Sequence, residues 1–329
     1  MLVLVGYVIV IGSVLGGFAM AGGHLGSIYQ PTEVVIIVGA ALGAFIVGNP
    51  MKTVKATFAA LPTCFKGSRY DKAMAMELMS LLYDLLNKVR KEGLMSIERD
   101  IENPDESALF QKYPKVAADH HLVEFLTDYL RLMVSGNMNA FEIEALMEHE
   151  IDTHHHEAEV PAHAIQKIAD GLPAFGIVAA VMGVVHTMES VGLPPAELGK
   201  LIAAALVGTF LGILLSYGIV GPLAGLLEQR VAESTKILHC IKATLLAQLN
   251  GYAPAIAIEF GRKVLYSSDR PSFAELEGHV KGARGRPASH VRCDRSQVQL
   301  ALQRRDRRSR TAGESLRISA RLGLLHSKR

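Results

Sequence analysis

Two long apolar stretches lie close together near the middle of the chain, at Gly171 to Met188 and Leu201 to Leu227. Neither stretch contains Asp, Glu, Lys or Arg. A helix needs about 20 apolar residues to cross the roughly 30 Å hydrocarbon core of a bilayer, so both are long enough to span a membrane. Because the polar link from Glu189 to Lys200 is short, we predict that the two helices form an antiparallel hairpin.

Two more apolar stretches open the chain. No basic region precedes the run from Leu2 to Ala21, which favours a retained helix over a cleaved signal peptide. The run from Val34 to Val47 is shorter, but Thr32 and the Gly-Asn-Pro sequence at its end lengthen the segment. We therefore predict a second span here, and four transmembrane helices in the whole chain.

Glycines recur in these stretches at the four-residue spacing that lets helix backbones approach closely in lipid. Four such pairs favour a tightly packed bundle. They are Gly12/Gly16, Gly39/Gly43, Gly208/Gly212 and Gly221/Gly225.

The segment between the second and third spans, Pro50 to Asp170, has the periodicity of helices. Two apolar stripes at three- and four-residue spacing end at Gly93 and at Gly136. Asn139 and Glu142 resemble a capping box that opens a third helix leading to the hairpin.

We therefore predict an all-α integral membrane protein with four transmembrane helices and a large helical cytoplasmic domain inserted between spans 2 and 3. The helix after the hairpin continues from Glu228 to Leu249, and Ser272 with Glu275 caps a last helix. The expected divisions are 1–49 for spans 1 and 2, 50–170 for the cytoplasmic domain, 171–227 for the hairpin, 228–282 for C-terminal cytoplasmic helices and 283–329 for a tail.

Basic residues near the span ends indicate the orientation. They follow the second and fourth spans and precede the third, whereas the loop Gly22 to Glu33 has none and the link Glu189 to Lys200 has only one. Both termini and the central segment are therefore predicted to be cytoplasmic. The residues concerned are Lys52, Lys55, Lys66, Arg69, Lys167, Arg230 and Lys236.

Charge separates the tail from the rest of the chain. The net charge is +2, but residues 283–329 hold 13 basic and 3 acidic residues and leave a net −8 on the remainder. The tail lacks apolar periodicity, so we expect it to be disordered or to bind anionic lipid, unless it is a frameshifted or artefactual ending.

Signatures of common enzymes are absent. The sequence has no GxxxxGK[ST], HExxH or GxSxG motif, and its three cysteines lack ligand spacing. Helical spacing places His149, Asp152 and His156 on one face, but a solvated face is the commoner outcome for such a pattern. We predict neither enzymatic activity nor a metal.

The cores of the predicted spans contain no carboxylate, the group that intramembrane ion transfer usually requires. A proton conductor built on this chain would need a carboxylate from another chain. Pro173 and Pro222 should kink or break the two hairpin helices, either as hinges or as passive features. The Thr209 hydroxyl either bonds the carbonyl four residues earlier or faces a polar pathway, and Tyr217 either packs or lines a pore.

Five stretches resemble the flagellar stator proteins of the MotA/TolQ/ExbB proton-channel family, and together they cover almost the whole chain to about Lys281. They are SIERDIENP, FEIEALMEHEIDTH, GLPAFGIVAAVMGVVHTM, VGTFLGILLSYG and NGYAPAIAIEFGRKVLYSSDRPSFAELE. The resemblance implies a stator subunit of the bacterial inner membrane, with five copies around two copies of a partner, MotB, whose transmembrane aspartate carries the proton. It also implies that the cytoplasmic segment pushes the rotor protein FliG.

The resemblance assigns roles to particular residues. The family's two functional prolines correspond to Pro173 and Pro222, and its rotor-contacting charges correspond to Arg90 and Glu98. By themselves, the two charged residues would be ordinary solvated charges beside Gly93.

Ion choice is also an expectation from the resemblance. Sodium-driven relatives place threonines on both hairpin helices, whereas this chain keeps Thr209 and has Ala180 at the other position. One oxygen ligand fewer disfavours a hard cation that needs several, so we expect protons, with no other cofactor.

Two other functions stay open at this point. An ExbB/TolQ-like energiser of an outer-membrane system has three spans, so the N-terminal pair of spans favours the stator. In a membrane scaffold without ion flux, the prolines would be purely structural.

Overall fold

The computed structural model describes residues 2–136, 138–189 and 192–282, and within these ranges every regular element is helical, as predicted. The predicted tail, 283–329, lies outside the described residues. The α-helices are α1 (Leu2–Met20), α2 (Pro31–Val47), α3 (Met51–Phe65), α4 (Lys72–Glu92), α5 (Glu98–Glu102), α6 (Pro114–Ala117), α7 (His120–Ser135), α8 (Ala140–Glu189), α9 (Pro195–Ile213), α10 (Gly221–Leu249), α11 (Pro254–Val264) and α12 (Phe273–Gly282). A π-helical segment, Leu214–Val220, joins α9 to α10, and short 3-10 turns lie at Leu25–Ser27, Leu94–Ile97 and Phe110–Lys112.

Apolar helices make the chain a multi-pass membrane protein. Among the described residues, three helical stretches are long and apolar enough to cross a bilayer: α1, α8 and the continuous helix Pro195–Leu249. The fourth predicted span, α2, has 17 residues. At 1.5 Å per residue it is about 25 Å long, slightly less than the hydrocarbon core.

The two hairpin helices extend far beyond a membrane. α8 has 50 residues and the Pro195–Leu249 helix has 55, which correspond to lengths of about 75 and 80 Å. Crossing the hydrocarbon core uses only about 30 Å of each. The boundaries expected after residues 170 and 227 therefore fall inside continuous helices, and the remaining length of each helix enters the large core.

That core is built from elements on both sides of the hairpin in the sequence. α4 and α7 each bury one apolar face against the N-terminal half of α8, the C-terminal half of α10, and α11. Fully buried members include Leu82, Phe125, Met147, Ile241 and Ala257. Burying one large apolar side chain contributes about 1.5–3 kcal/mol, so this cluster holds the long helices in register with α4 and α7.

Helix ends confirm the predicted caps. α4 ends at Gly93 with φ 86° and α7 ends at Gly136 with φ 66°, values that glycine adopts without a Cβ clash. Before α8, the Asn139 side chain accepts from the Glu142 N–H at 2.9 Å, and the Glu142 carboxylate accepts from the Asn139 N–H at 3.0 Å. Ser272 and Glu275 form the same reciprocal pair before α12, so both predicted capping boxes are present.

Glycines set the spacing between α8 and α9. A Cβ added at Gly176 would lie 2.9 Å from the Gly208 carbonyl oxygen and 3.1 Å from the Gly212 Cα. Further along, a Cβ at Gly183 would lie 2.7 Å from the Ala205 Cβ. The two backbones are therefore in direct contact, and no larger residue fits between them.

The other predicted glycine pairs do not pack in this way within the chain. A Cβ at Gly12, Gly16, Gly39 or Gly43 would meet nothing within 4 Å, and the same holds for Gly225. Within the described chain, only the Gly208/Gly212 pair acts as a close helix–helix contact of the kind predicted.

We expect Gly212→Ala to destabilise the hairpin. The new Cβ would lie 2.7 Å from the Leu172 carbonyl oxygen and 2.9 Å from the Gly176 Cα, both backbone atoms that cannot rotate away. Overpacking of this kind costs about 1–3 kcal/mol, so the melting temperature in detergent should fall. Gly43→Ala, whose Cβ would enter open space, is the matched control. Equal melting temperatures for the two variants would contradict the packing argument.

Candidate functional site

The contact between α8 and α9 brings together the two positions expected to select the ion. A Cβ added at Gly208 would lie 3.2 Å from the backbone nitrogen of Ala180, and Thr209 is the next residue along α9. Ala180 and Thr209 therefore occupy the same level of the hairpin. The Thr209 hydroxyl makes no hydrogen bond to another described residue, so the back-bond considered from the sequence is not formed.

A carboxylate also lies at this level. The Oε2 atom of Glu33 is 2.9 Å from the position of a Cβ on Gly208, and the Glu33 side chain is 8% exposed. This Oε2 atom is buried and has no hydrogen-bond partner. The prediction that Glu33 lies in the loop before the second span is wrong, because α2 begins at Pro31 and includes Glu33 in its first turn.

A sequence signal for this carboxylate exists. Proline is favoured at the first position of a helix, and acidic residues are favoured in the first turn, where they face the positive end of the helix dipole. Pro31 followed by Glu33 matches both preferences, and the structure has proline at the start of α2. Counting Glu33 as the last residue of the preceding loop, because the strongly apolar run starts at Val34, hid this carboxylate.

The prolines lie where α8 and the π-helical segment run side by side. α8 continues through Pro173 without interruption, and Pro222 follows the π-helical segment at the start of α10, so neither proline ends its helix. A Cβ at Gly212 would lie 2.7 Å from the Leu172 carbonyl oxygen, which places Pro173 beside the end of α9. Both prolines thus interrupt regular hydrogen bonding in neighbouring parts of the hairpin.

A hydrogen bond from α1 holds the π-helical segment in place. The Tyr7 hydroxyl donates a hydrogen bond of 2.9 Å to the Ile219 carbonyl oxygen. Tyr7, Gly218 and Pro222 also line a cavity of about 480 Å³ between α1 and α10. Tyr217 in the same segment is 73% exposed, so it does not pack inside this chain.

The predicted rotor-contacting charges lie in the other part of the molecule. Arg90 is exposed in the last turn of α4, and Glu98 is exposed at the start of α5, on either side of the Gly93 turn. Neither forms an ion pair with another described residue. The structure therefore places both side chains in solvent at the two ends of the turn between α4 and α5, whereas Pro173 and Pro222 lie in the hairpin.

A buried network fixes the backbone that carries this surface. Lys88 Nζ lies 2.6 Å from Asp100 Oδ2, and the Ser107 hydroxyl donates to Asp100 Oδ1 at 2.6 Å. Burial alone would raise the pKa of Asp100, but the hydrogen bonds from Lys88 and Ser107 outweigh it and lower the pKa below its ordinary value. The ionised Asp100 thus links α4 to α5 on either side of the exposed charges.

The histidine run in α8 does not form the metal site considered from the sequence. Among the described residues, no group of three or more His, Cys, Asp or Glu side chains is placed to hold a metal ion, and this covers His149, Asp152 and His156. His154 instead stacks on His121 with ring centroids 4.1 Å apart. Burial lowers the pKa of His154, which favours its neutral form.

The fold and the hairpin define a helical, multi-pass membrane protein. The model of the MotA/TolQ/ExbB proton channel family matches residues 117–239, which include α8, α9 and the π-helical segment. The model of the Motility protein A N-terminal region matches residues 4–93.

Individual relatives make the assignment more specific. The chain is 61% identical over 284 residues to Motility protein A of Salmonella typhimurium and 60% identical over the same length to Motility protein A of Escherichia coli, with 86% of this chain and 96% of each relative covered. Its fold matches the structure of C. jejuni MotAB with a TM-score of 0.69 at 21% identity, over 82% of this chain and 98% of that one. The chain belongs to the MotA/TolQ/ExbB proton channel family, among its motility proteins.

Pro222→Ala should regularise the π-helical segment. Alanine restores the backbone N–H that proline lacks, so a regular bond to the Gly218 carbonyl can form. We expect amides in 214–220 to exchange with deuterium severalfold more slowly, and swimming to slow at normal protein levels. Pro161→Ala, which alters another proline inside α8, should leave exchange at 214–220 unchanged. Unaltered exchange in Pro222→Ala would mean that the proline does not maintain the π-helical geometry.

Proposed function

We propose that this chain and a MotB-type partner form a proton channel of the inner membrane that turns the flagellar rotor through FliG. Five copies of the chain would surround two copies of the partner. The observation that carries this proposal is the continuity of α8 and of the Pro195–Leu249 helix, which reach from the Ala180/Thr209 level into the core that displays Arg90 and Glu98.

The proposed mechanism begins at the partner's transmembrane aspartate. Protonation removes a charge that faces the hairpin, and intramembrane charges are costly enough to bias the packing around them. Pro173 and the π-helical segment before Pro222 are the places where the hairpin helices yield most easily, because regular backbone hydrogen bonds are missing there. The rest of each helix moves as a rigid rod and carries the displacement to the large core.

Orientation and ion choice complete the proposal. The basic residues flanking the spans support cytoplasmic termini and a cytoplasmic core, where the rotor is accessible. Thr209 offers one hydroxyl at its level of the hairpin and Ala180 offers none, which supports protons over Na⁺ as the driving ion. The chain itself would perform no enzymatic chemistry, since the work comes from the ion gradient.

Proton flux should require both proteins. Glu33 lies in the first turn of α2, and the apolar stretches 2–21, 34–47, 171–188 and 201–227 contain no carboxylate. We therefore expect no flux in vesicles that contain this chain alone, and flux when a MotB-type partner is added. A partner whose transmembrane Asp is changed to Asn is the control and should abolish the flux. Substantial flux from the chain alone would overturn the proposed division of roles.

Arg90→Glu should impair swimming far more than neutralisation of the same residue, because repulsion from the rotor replaces attraction. Exposed charge pairs are worth about 0.2–1 kcal/mol each, so Arg90→Gln should have only a partial effect. Stability should change by less than about 0.5 kcal/mol, as usual for exposed sites.

The neighbouring exposed cation provides the control for that experiment. Lys91→Glu makes the same change of charge one residue away, on a different face of α4, and should be much milder. Reversing an opposing charge on FliG should partly restore swimming in Arg90→Glu. If no such reversal restores swimming while the Arg90→Glu variant still assembles, the proposal of an electrostatic contact between Arg90 and FliG is refuted.

A further inference from the structure

We propose that Glu33 is a proton-binding group of this chain's own, which takes up a proton at the level of Ala180 and Thr209 and passes it towards the partner's carboxylate. This inference rests on the proposed function, because it concerns the path of the same proton. The observation behind it is a carboxylate that is buried, unpartnered and held against the ion-selecting level of the hairpin.

Burial without a partner is the first step of the argument. Glu33 is 8% exposed, and its Oε2 atom has no hydrogen-bond partner. Native proteins seldom leave a buried carboxylate oxygen unsatisfied, and an ionised one is the most unfavourable case. Binding a proton removes this penalty directly. A carboxyl group in such a place is therefore a natural acceptor for the ion that the protein conducts.

The surroundings provide no competing partner. Glu33 Oε2 lies against Gly208, and the other atoms closest to a Cβ at Gly208 are the Ala179 Cβ and the Ala180 backbone nitrogen, neither of which is an ionised group. The titratable groups in and beside the apolar parts of α8 and α9 do not hydrogen-bond to the buried Oε2 atom of Glu33. These groups are Asp170, His186, Glu189, Glu197 and Lys200.

The location in α2 keeps the carboxylate form accessible. Glu33 lies in the first turn, where the free N–H groups and the helix dipole favour a negative charge. Desolvation favours the neutral form, and the helix terminus favours the charged form. A group under these opposing influences can bind a proton and release it again, which a fully apolar environment would prevent.

The transfer is a simple proton relay. A hydronium ion from outside gives a proton to the Glu33 carboxylate and leaves a water molecule. The new O–H bond then breaks, the proton passes through water to the partner's ionised aspartate, and Glu33 returns to its carboxylate form. Gly208 permits this position, because a side chain there would clash with Oε2 at 2.9 Å.

A purely structural role makes a different prediction. If Glu33 only fills the space beside Gly208, Glu33→Gln should preserve function, since glutamine has the same shape. If Glu33 carries a proton, glutamine should fail and Glu33→Asp should restore part of the function. Glu197→Gln is the matched control. Glu197 is an exposed acid in the first turn of α9, and its substitution removes one negative charge just as Glu33→Gln does.

The test uses the complex of the full chain with its MotB-type partner in vesicles, with two readouts. Proton flux against external pH should fall severalfold in Glu33→Gln and lose part of its pH dependence, recover partly in Glu33→Asp, and stay at the wild-type level in Glu197→Gln. Infrared difference spectra between low and high pH should contain a protonated-carboxyl band that Glu33→Gln removes and Glu197→Gln retains.

The outcomes separate this inference from the proposed function. Wild-type flux together with unchanged flux in Glu33→Gln would overturn the role of Glu33 and leave the channel proposal intact. Absence of flux in the wild-type complex would overturn the channel proposal, while the infrared band would still report whether Glu33 binds a proton. A Glu33→Gln spectrum identical to the wild-type spectrum would refute proton binding by this residue.

Discussion

The membrane part of this protein depends on the close approach of α8 and α9. Apolar side chains gain nothing by leaving one apolar medium for another, so helices in lipid associate through van der Waals contact and polar groups. Gly176, Gly208 and Gly212 let the two backbones touch, with a Cβ at any of them falling within about 3 Å of the other helix. The same absence of side chains gives the Glu33 carboxylate its place against α9.

Continuity of the two long helices connects this contact to the rest of the molecule. The far halves of α8 and α10 carry buried residues such as Met147 and Ile241, which pack with α4 and α7 in one core. The hairpin and the core are therefore joined through two continuous helices. Tertiary contacts add further connections, since Arg230 of α10 donates hydrogen bonds to the backbone carbonyls of Thr63, Cys64 and Lys66 at the end of α3.

Sequence patterns predicted most of the fold. Apolar length identified the helices of the hairpin, three- and four-residue periodicity identified α4 and α7, and Gly93, Gly136 and the two capping boxes marked ends that the structure confirms. The residues of the functional site could be predicted from the sequence only in part. Thr209 was singled out by its position within a span, and Ala180, Arg90 and Glu98 were named through a family resemblance. Glu33 was assigned to a loop, because an acidic residue beside an apolar run resembles the end of a span.

Local information in the sequence was thus sufficient for helix type, helix ends and membrane class, because periodicity, capping and hydrophobic length act over one helix at a time. Which glycines meet a neighbour was decided only by the tertiary structure: Gly208 and Gly212 face α8, while Gly39 and Gly43 have the same spacing and face open space within the chain. The partner face of a helix depends on how it is rotated against distant elements. For the same reason, only packing could show that Glu33 is buried beside Gly208 and that its Oε2 atom has no hydrogen-bond partner.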